Sequence, residues 1–406
     1  MIASDSSAKA YDVILVGAGP VGLLLGNLLG QYGMRVLLLE RSLAPPSHSQ
    51  AIGITPPSLQ ILALLDLDKP FLQLGIPIRD CHVHGHTGYL GCASFRHLGG
   101  AYPLILSLPQ QITMRLLEEN LLRYPTVEIR RGMEVRGLRH EASQVIVETQ
   151  DTNFAASYAV GCDGCHSHVR DLLRVPSRTH HYGRHFLMGD FLDKNQLGRE
   201  AQLFFMPEGA VESFPLPDAR RRWIVQTPSR MTDPPPGIIS RLVRERCGFD
   251  LPAADQFNQS AFSPWRLDCR RIHHDRVILC GDAAHVMSPI GGQGMNTGFA
   301  DAEFAAAMLH AILQKGDAPA PWLRHYDRCR RTAGRIAANR AARGMWIGTW
   351  LGAPASLLRD FILRFCIFRG PLAPHLGPWF AMLSLPYNRL QKSQWATTRL
   401  RELSQT

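Results

Sequence analysis

The chain has 406 residues, 45% hydrophobic and 19% charged, a balance that excludes a disordered protein and allows two or three packed units. Nine scattered cysteines argue against a disulfide framework and for a reducing cytoplasm, and the opening MIASDSSAKA lacks the order of a secretory signal. The net charge of +10 sits wholly at the end: 14 basic residues face three acids from Pro321 onward, against 30 and 31 before it, so the body presents no nucleic-acid surface.

Tyr11–Val16 (YDVILV) is a short apolar run that predicts a buried parallel strand. It leads into Gly17-Ala18-Gly19-Pro20-Val21-Gly22, a Leu-rich helix and a second strand, Arg35–Leu39, that ends in Glu40. The glycines have separate tasks. Gly17 permits a tight turn, Gly19 lets backbone approach a pyrophosphate, and Gly22 lets helix and strand pack closely. The helix N-terminus offers unpaired N–H groups to phosphates. Glu40, 23 residues past Gly17, is spaced to accept hydrogen bonds from a ribose.

Farther along, Asp80–Phe95 and the segment from about Arg184 to Trp223 alternate like antiparallel strands. Val127–Ile129 and Gln144–Glu148 suggest another ribbon. Cys81, His82, His84, His86 and Cys92 form an H-x-H-x-H run between two cysteines. On a strand those histidines share a face, which suits zinc or a plain polar surface, and no metal site is assigned. Gly161–Arg170, GCDGCHSHVR, contains the C-x-x-C-H pattern of covalent haem attachment, which fits poorly with a reducing compartment.

Asp233–Gly237, with three prolines, is a surface connection. Arg276–Leu279 is a second buried-strand candidate, and Thr297–Leu313 and Trp322–Arg343 read as helices. Between strand and helix lies GDAAHVMSPIGGQGMNTG, Gly281–Gly298. Gly281 permits a sharp turn, Asp282 is a carboxylate able to bind sugar hydroxyls, and the glycine loop opens a helix. The amides of such a helix end favour negative charge on a bound ring. His285 reads as packing rather than as a proton shuttle.

Together these motifs resemble the single-component FAD-dependent aromatic hydroxylases of the para-hydroxybenzoate hydroxylase fold, the class A flavoprotein monooxygenases. The resemblance implies an α/β protein: a Rossmann-type FAD-binding domain with an inserted, mostly antiparallel β-sheet substrate domain and C-terminal helices. It divides the chain into a discontinuous FAD-binding domain (1–75, 100–178 and 265–330), a substrate-binding sheet domain (76–99 and 179–264) and a C-terminal helical segment (331–406). Gly17, Gly19 and Gly22 match the dinucleotide fingerprint, and Glu40-Arg41 its ribose-binding end. Gly281 and Asp282 match the motif that holds the ribityl chain of FAD. Pro289, Gly292, Gly294, Met295 and Asn296 belong to the loop beside the isoalloxazine.

Asp163 and Gly164, with Ser167, Val169 and Arg170, fit the family's G-x-D-G-x-x-S-x-V-R pattern at the pyrophosphate and nicotinamide nucleotide. Cys162, Cys165 and His166 then occupy variable positions, and the haem reading drops out. Gln110 matches a Gln or Arg that touches the flavin, whereas Gln50 stands where the family commonly has Arg.

The chemistry implied by the resemblance is hydroxylation. NADPH or NADH, as co-substrate, reduces FAD, oxygen adds to give a flavin hydroperoxide, and its terminal OH passes to an electron-rich ring. The expected substrate is a small aromatic molecule, phenolic and lipophilic, of secondary metabolism. No second G-x-G-x-x-G occurs, so the nicotinamide nucleotide binds transiently in a groove. The family has no universal catalytic residue, and none is assigned; the pocket is expected from Phe204–Phe214 and Phe214–Pro217. An FAD-dependent reductase of an isoprenoid-type substrate and a non-catalytic flavin-binding protein would share the FAD motifs. A halogenase would carry W-x-W-x-I-P, which does not occur.

Between Arg343 and Arg389, arginines interleave with Trp346, Trp350, Phe361, Phe365 and Trp379, the composition of an interfacial helix. Arg359, Arg364 and Arg369 interrupt the run, and four prolines from Pro371 to Pro386 break the uncharged stretch after Arg369, so it is no membrane span. Peripheral contact with an anionic membrane and plain packing on the FAD domain are both open.

Overall fold

The computed structural model describes residues 11–44 and 51–389; Gln50 and the last cations, Lys392, Arg399 and Arg401, lie outside the described residues. Tyr11–Val16 runs parallel between Val36–Glu40 and Asn153–Gly161. Val127–Arg131 extends that sheet on one side and Val277–Leu279 on the other, both parallel. Strands buried on both faces need helices as cover, and Pro20–Gln31, Gln110–Leu121 and Gln293–Lys315 pack there. Leu15, Leu23, Leu38, Val160, Leu279 and Phe299, all fully buried, belong to the resulting core.

The expected ribbon of Val127–Ile129 with Gln144–Glu148 is not formed. Val145–Thr149 pairs instead with Val135–His140, because the tight turn closed by the Glu141 N–H on the Gln144 carbonyl (2.9 Å) makes those two runs immediate neighbours.

The second sheet has seven strands, in the order Gln256–Phe262, His185–Leu192, Arg220–Thr227, Gly209–Leu216, Ala201–Met206, Asp80–Gly85 and Gly88–Ser94. All neighbours are antiparallel except Ala201–Met206 with Asp80–Gly85. Alternation gives the sheet two different faces. Leu187, Val211, Trp223 and Val225 pack against Ile239 and Val243 of the helix Ile238–Cys247. Ala210, Glu212 and Phe214 point the other way, into a cavity.

Beyond the long helix Pro319–Gly348, the chain folds back over this sheet as Ala353–Phe361, a π-helical stretch Ile362–Phe368, and Ala373–Phe380. Arg359 is not one of the surface charges that the composition suggested. It is fully buried, donating to Asp360 at 3.2 Å and to the Trp350 carbonyl at 3.2 Å. Asp360 in turn accepts from the Thr87 N–H at 2.9 Å, pinning the C-terminal helices to the turn between the last two strands of the sheet order. Among the described residues no helix is long and apolar enough to cross a membrane.

Candidate active site

A cavity of about 1390 Å³ joins the end of the first strand, the inner face of the second sheet and the C-terminal helices. Drug-sized ligands occupy roughly 300–1,000 Å³, so this space suits a dinucleotide together with a second molecule.

Its dinucleotide end is built by backbone. Gly17 holds φ at +105°, and a side chain there would meet the Cys162 carbonyl at 2.6 Å; one on Gly22 would meet the Gly17 carbonyl at 2.0 Å. A side chain on Gly19 would meet no protein atom within 4 Å, because that side of the loop borders the cavity. Glu40 braces the loop, its Oε2 accepting from the Ala18 N–H at 2.8 Å and its Oε1 from the Ser42 N–H at 2.9 Å. Arg41 lines the same end.

The second motif closes over this turn. Asp163 Oδ2 accepts from the Val169 N–H at 3.0 Å, whereas Oδ1 is buried with no hydrogen-bond partner among the described residues. Gly164, at φ +80°, turns the chain toward Ser167, whose Oγ caps the short helix His168–Leu172 by accepting from the Arg170 N–H at 3.0 Å. The buried Arg170 guanidinium donates to the Cys165 carbonyl at 3.1 Å and to the Ala283 carbonyl at 3.3 Å. It thereby ties this motif to the turn at Gly281.

That turn rests on a buried charge cluster. Asp301 accepts from the Gly281 N–H at 2.9 Å, from His285 Nε2 at 2.8 Å and from Arg330 Nε at 2.5 Å. Burial alone would raise the Asp301 carboxyl, but His285 and Arg330 outweigh it and hold it at about 2. Burial opposes charge on His285 as well, yet Asp301 wins and lifts the imidazole above its ordinary value. His285 is therefore an ion-pair partner under the turn. Asp282 stands above it in the cavity wall, its carboxyl pushed up by burial.

The loop Pro289–Gly294 comes next, with Gly291 at φ +83° and Gly292 at +63°, and the Gly292 N–H donating to the Pro289 carbonyl at 2.9 Å. Met295 and Gly294 line the cavity. Asn296 holds the loop to a neighbouring strand: its Oδ1 accepts from the Thr55 N–H at 2.9 Å and its Nδ2 donates to the Gly53 carbonyl at 2.9 Å. Gln110 accepts from the Ala51 N–H at 3.2 Å beside it.

The far end is built by side chains. Val83, Leu203, Phe205, Phe214 and Ile224 come from the sheet, and Ile347, Ile367, Phe368, Trp379 and Phe380 from the C-terminal helices. Within this apolar lining stands Glu212, 7% exposed, with burial pushing its carboxyl up to about 7. The histidine run on Asp80–Gly85 is otherwise engaged, His82 with the Tyr89 hydroxyl at 3.2 Å and His84 with Gln202 at 2.9 Å.

Residues 10–341 match the family described as FAD binding domain. The chain belongs to that family. It is 34% identical over 305 residues to a rifampicin monooxygenase of Streptomyces venezuelae, covering 72% of this chain and 62% of that one. It is 30% identical over 418 residues to a rifampicin monooxygenase of Rhodococcus hoagii, covering 97% and 83%. In fold it resembles a para-nitrophenol 4-monooxygenase of Pseudomonas putida, with a TM-score of 0.83 at 22% identity over 94% of this chain and all of that one. The chain thus spans less than two thirds of the Streptomyces relative.

Membership in the FAD-binding domain family makes FAD the dinucleotide, and the residues present fit it. The glycine cradle leaves Gly19 open, the buried Asp163 Oδ1 lacks a partner among the described residues, and Asp282 stands in the wall between the two ends. Motif reading did not single out Asp301, Arg330 or Glu212. No local spacing marks the first two, which act from 16 to 29 residues away across helices. Glu212 did carry a signal, a lone acid in the apolar stretch AVESF.

Proposed function

We propose that the protein is an FAD-dependent monooxygenase that uses NADPH or NADH and oxygen to hydroxylate a phenolic, lipophilic aromatic molecule. The observation that carries this reading is a single cavity with a glycine-built dinucleotide end and an apolar far end. In this reading Gly17, Gly19, Gly22, Glu40 and Arg41 receive the adenosine and pyrophosphate side of FAD, with Asp163 and Gly164. Gly281 and Asp282 hold its ribityl chain, and Gln110 with Pro289–Asn296 flanks the isoalloxazine. In the same reading the FAD-binding domain comprises 1–75, 100–178 and 265–330, the substrate-binding sheet domain 76–99 and 179–264, and the C-terminal helical segment 331–406. When bound, FAD supplies the transfer of electrons from the nicotinamide to oxygen. The chain's own work is to hold the ring, keep it dry and exclude water from the reacting face. The relatives named as monooxygenases favour this over a reductase or a non-catalytic flavin carrier.

The purified protein is expected to be yellow, with FAD held non-covalently. A screen of phenols should show substrate-stimulated NAD(P)H oxidation that consumes one oxygen per nicotinamide, with little hydrogen peroxide released. Reduction of substrate without oxygen uptake would instead establish a reductase.

Peripheral docking on an anionic membrane forms part of the same proposal. Trp346, Leu351, Leu357, Leu358, Phe361 and Phe365 stand exposed on the C-terminal segment, interleaved with the exposed Arg343 and Arg369. Each cation near an anionic leaflet contributes about 1 kcal/mol, so a few suffice for reversible contact. Flotation with anionic vesicles at low salt, and its loss at high salt or with neutral vesicles, is the expected result.

A further inference from the structure

Three other buried carboxylates are satisfied by the protein. Asp190 accepts from Arg222 at 2.7 and 2.9 Å and from Asn258 at 2.8 Å. Asp301 has its two cations, and Asp360 has Arg359 and Thr87. Glu212 differs from these three: burial is the sole cause of its altered acidity, with neither a hydrogen bond nor a nearby charge to offset it, whereas Asp282, also raised by burial, has His285 to offset part of the cost. Across the strands it faces Leu203 and Ile224, both apolar and both in the cavity wall.

Nothing in the packing calls for a carboxylate here, since a leucine of similar volume would suit these neighbours and avoid the desolvation cost. A charged group kept in an apolar pocket without a protein partner awaits one from a ligand.

We infer that Glu212 is the catalytic base of the pocket, receiving the substrate's ring hydroxyl, and that it makes the site select neutral phenols over aromatic carboxylates. This rests on the hydroxylase reading above. In the step, the substrate O–H bond breaks and the Glu212 O–H bond forms. The electron pair stays on the ring oxygen and feeds the ring carbon to be attacked. Nothing is oxidised or reduced in it, and the proton returns to water when product leaves. A phenol that is losing its proton is the stronger nucleophile.

The surrounding ionisable groups do not replace Glu212. Arg222, in the neighbouring strand, is bound to Asp190. Cys81 on the strand beyond is held as a neutral thiol by burial. Arg343 and His375 enter the lining from the C-terminal helices, both exposed to solvent. An aromatic carboxylate would therefore meet a second negative charge in a place of low polarity.

The test uses the FAD-loaded full chain, with para-cresol, which keeps its proton at pH 8, and para-toluate as binding probes read by flavin absorbance. Wild type should prefer the phenol at least tenfold at pH 8, and its affinity for the phenol should rise as pH rises through about 7 and the carboxylate becomes the acceptor. Glu212→Gln, nearly isosteric, should retain FAD, bring the preference close to one and flatten that pH dependence. With an accepted phenol, kcat should drop about 10²–10⁴-fold. Unchanged preference and pH dependence in Glu212→Gln would overturn the inference. Wild type that binds FAD and probe but hydroxylates no phenol would overturn the monooxygenase reading instead, while the binding comparison still decides the role of Glu212.

Discussion

The two ends of the cavity treat buried charge in opposite ways. At the dinucleotide end Asp301 is enclosed by His285, Arg330 and a backbone N–H, so the charge is neutralised before any ligand arrives. At the apolar far end Glu212 has only apolar neighbours across the strands. The first end is built to persist, and the second gives up stability for a group that only a ligand can satisfy. Removal of the carboxylate should therefore have opposite consequences for Asp301 and for Glu212.

The largest effect is expected for Asp301→Ala. It strands two buried cations, and breaking a buried pair in this way costs roughly 3–5 kcal/mol. Denaturant unfolding should show that loss, together with reduced FAD content. The pH dependence sharpens the point: the Asp301 carboxyl is depressed to about 2, so its stabilisation is present above the ordinary value of 3.8 and fades as pH falls toward 2.

Glu212→Gln should move the other way. Below about pH 4 the carboxyl is protonated folded or unfolded, and it costs nothing. Between the ordinary 4.5 and about 7 only the folded state keeps the proton, so stability falls as pH rises and the full cost is present above 7. The variant should accordingly be more stable at pH 8, by on the order of 3 kcal/mol, and equal to wild type near pH 4. A variant no more stable at pH 8 would mean that the carboxylate has company, and the contrast between the two ends would fail.

Two smaller effects probe the dinucleotide end alone. Asp282→Ala should weaken FAD affinity by roughly 1.5–3 kcal/mol, the worth of a charge-assisted hydrogen bond, with little change in the stability of the FAD-free protein. Ser167→Ala removes a helix cap and should cost about 1 kcal/mol in thermal unfolding, while FAD titration moves less than for Asp282→Ala.

The same contrast explains what was legible from the sequence. The parallel layer was readable because its strands are apolar runs that end in glycines, and backbone constraints leave fixed spacings: Gly17 tolerates no side chain against Cys162, and Gly22 none against Gly17. The substrate wall has no such spacing. Its chemistry depends on which side chains a sheet turns inward, and Glu212 acquires meaning only from Leu203 and Ile224 on other strands. Arg359 misled for a related reason. An arginine among aromatic residues reads as a surface anchor until Asp360 and the Trp350 carbonyl are seen to enclose it.

The clamp from Thr87 to Asp360 joins residues 273 positions apart and closes the cavity last in chain order. Every strand of both sheets precedes residue 290, and the match to the FAD-binding domain family ends at residue 341. A chain made from its N-terminus thus completes both sheets while the inner face of the second is still uncovered. Phe368, Trp379 and Phe380 reach the cavity only with the closing segment. The shape of the binding space is then set by the part of the molecule least tied to its cofactor, so exchange of that segment alters what fits without disturbing the glycine cradle.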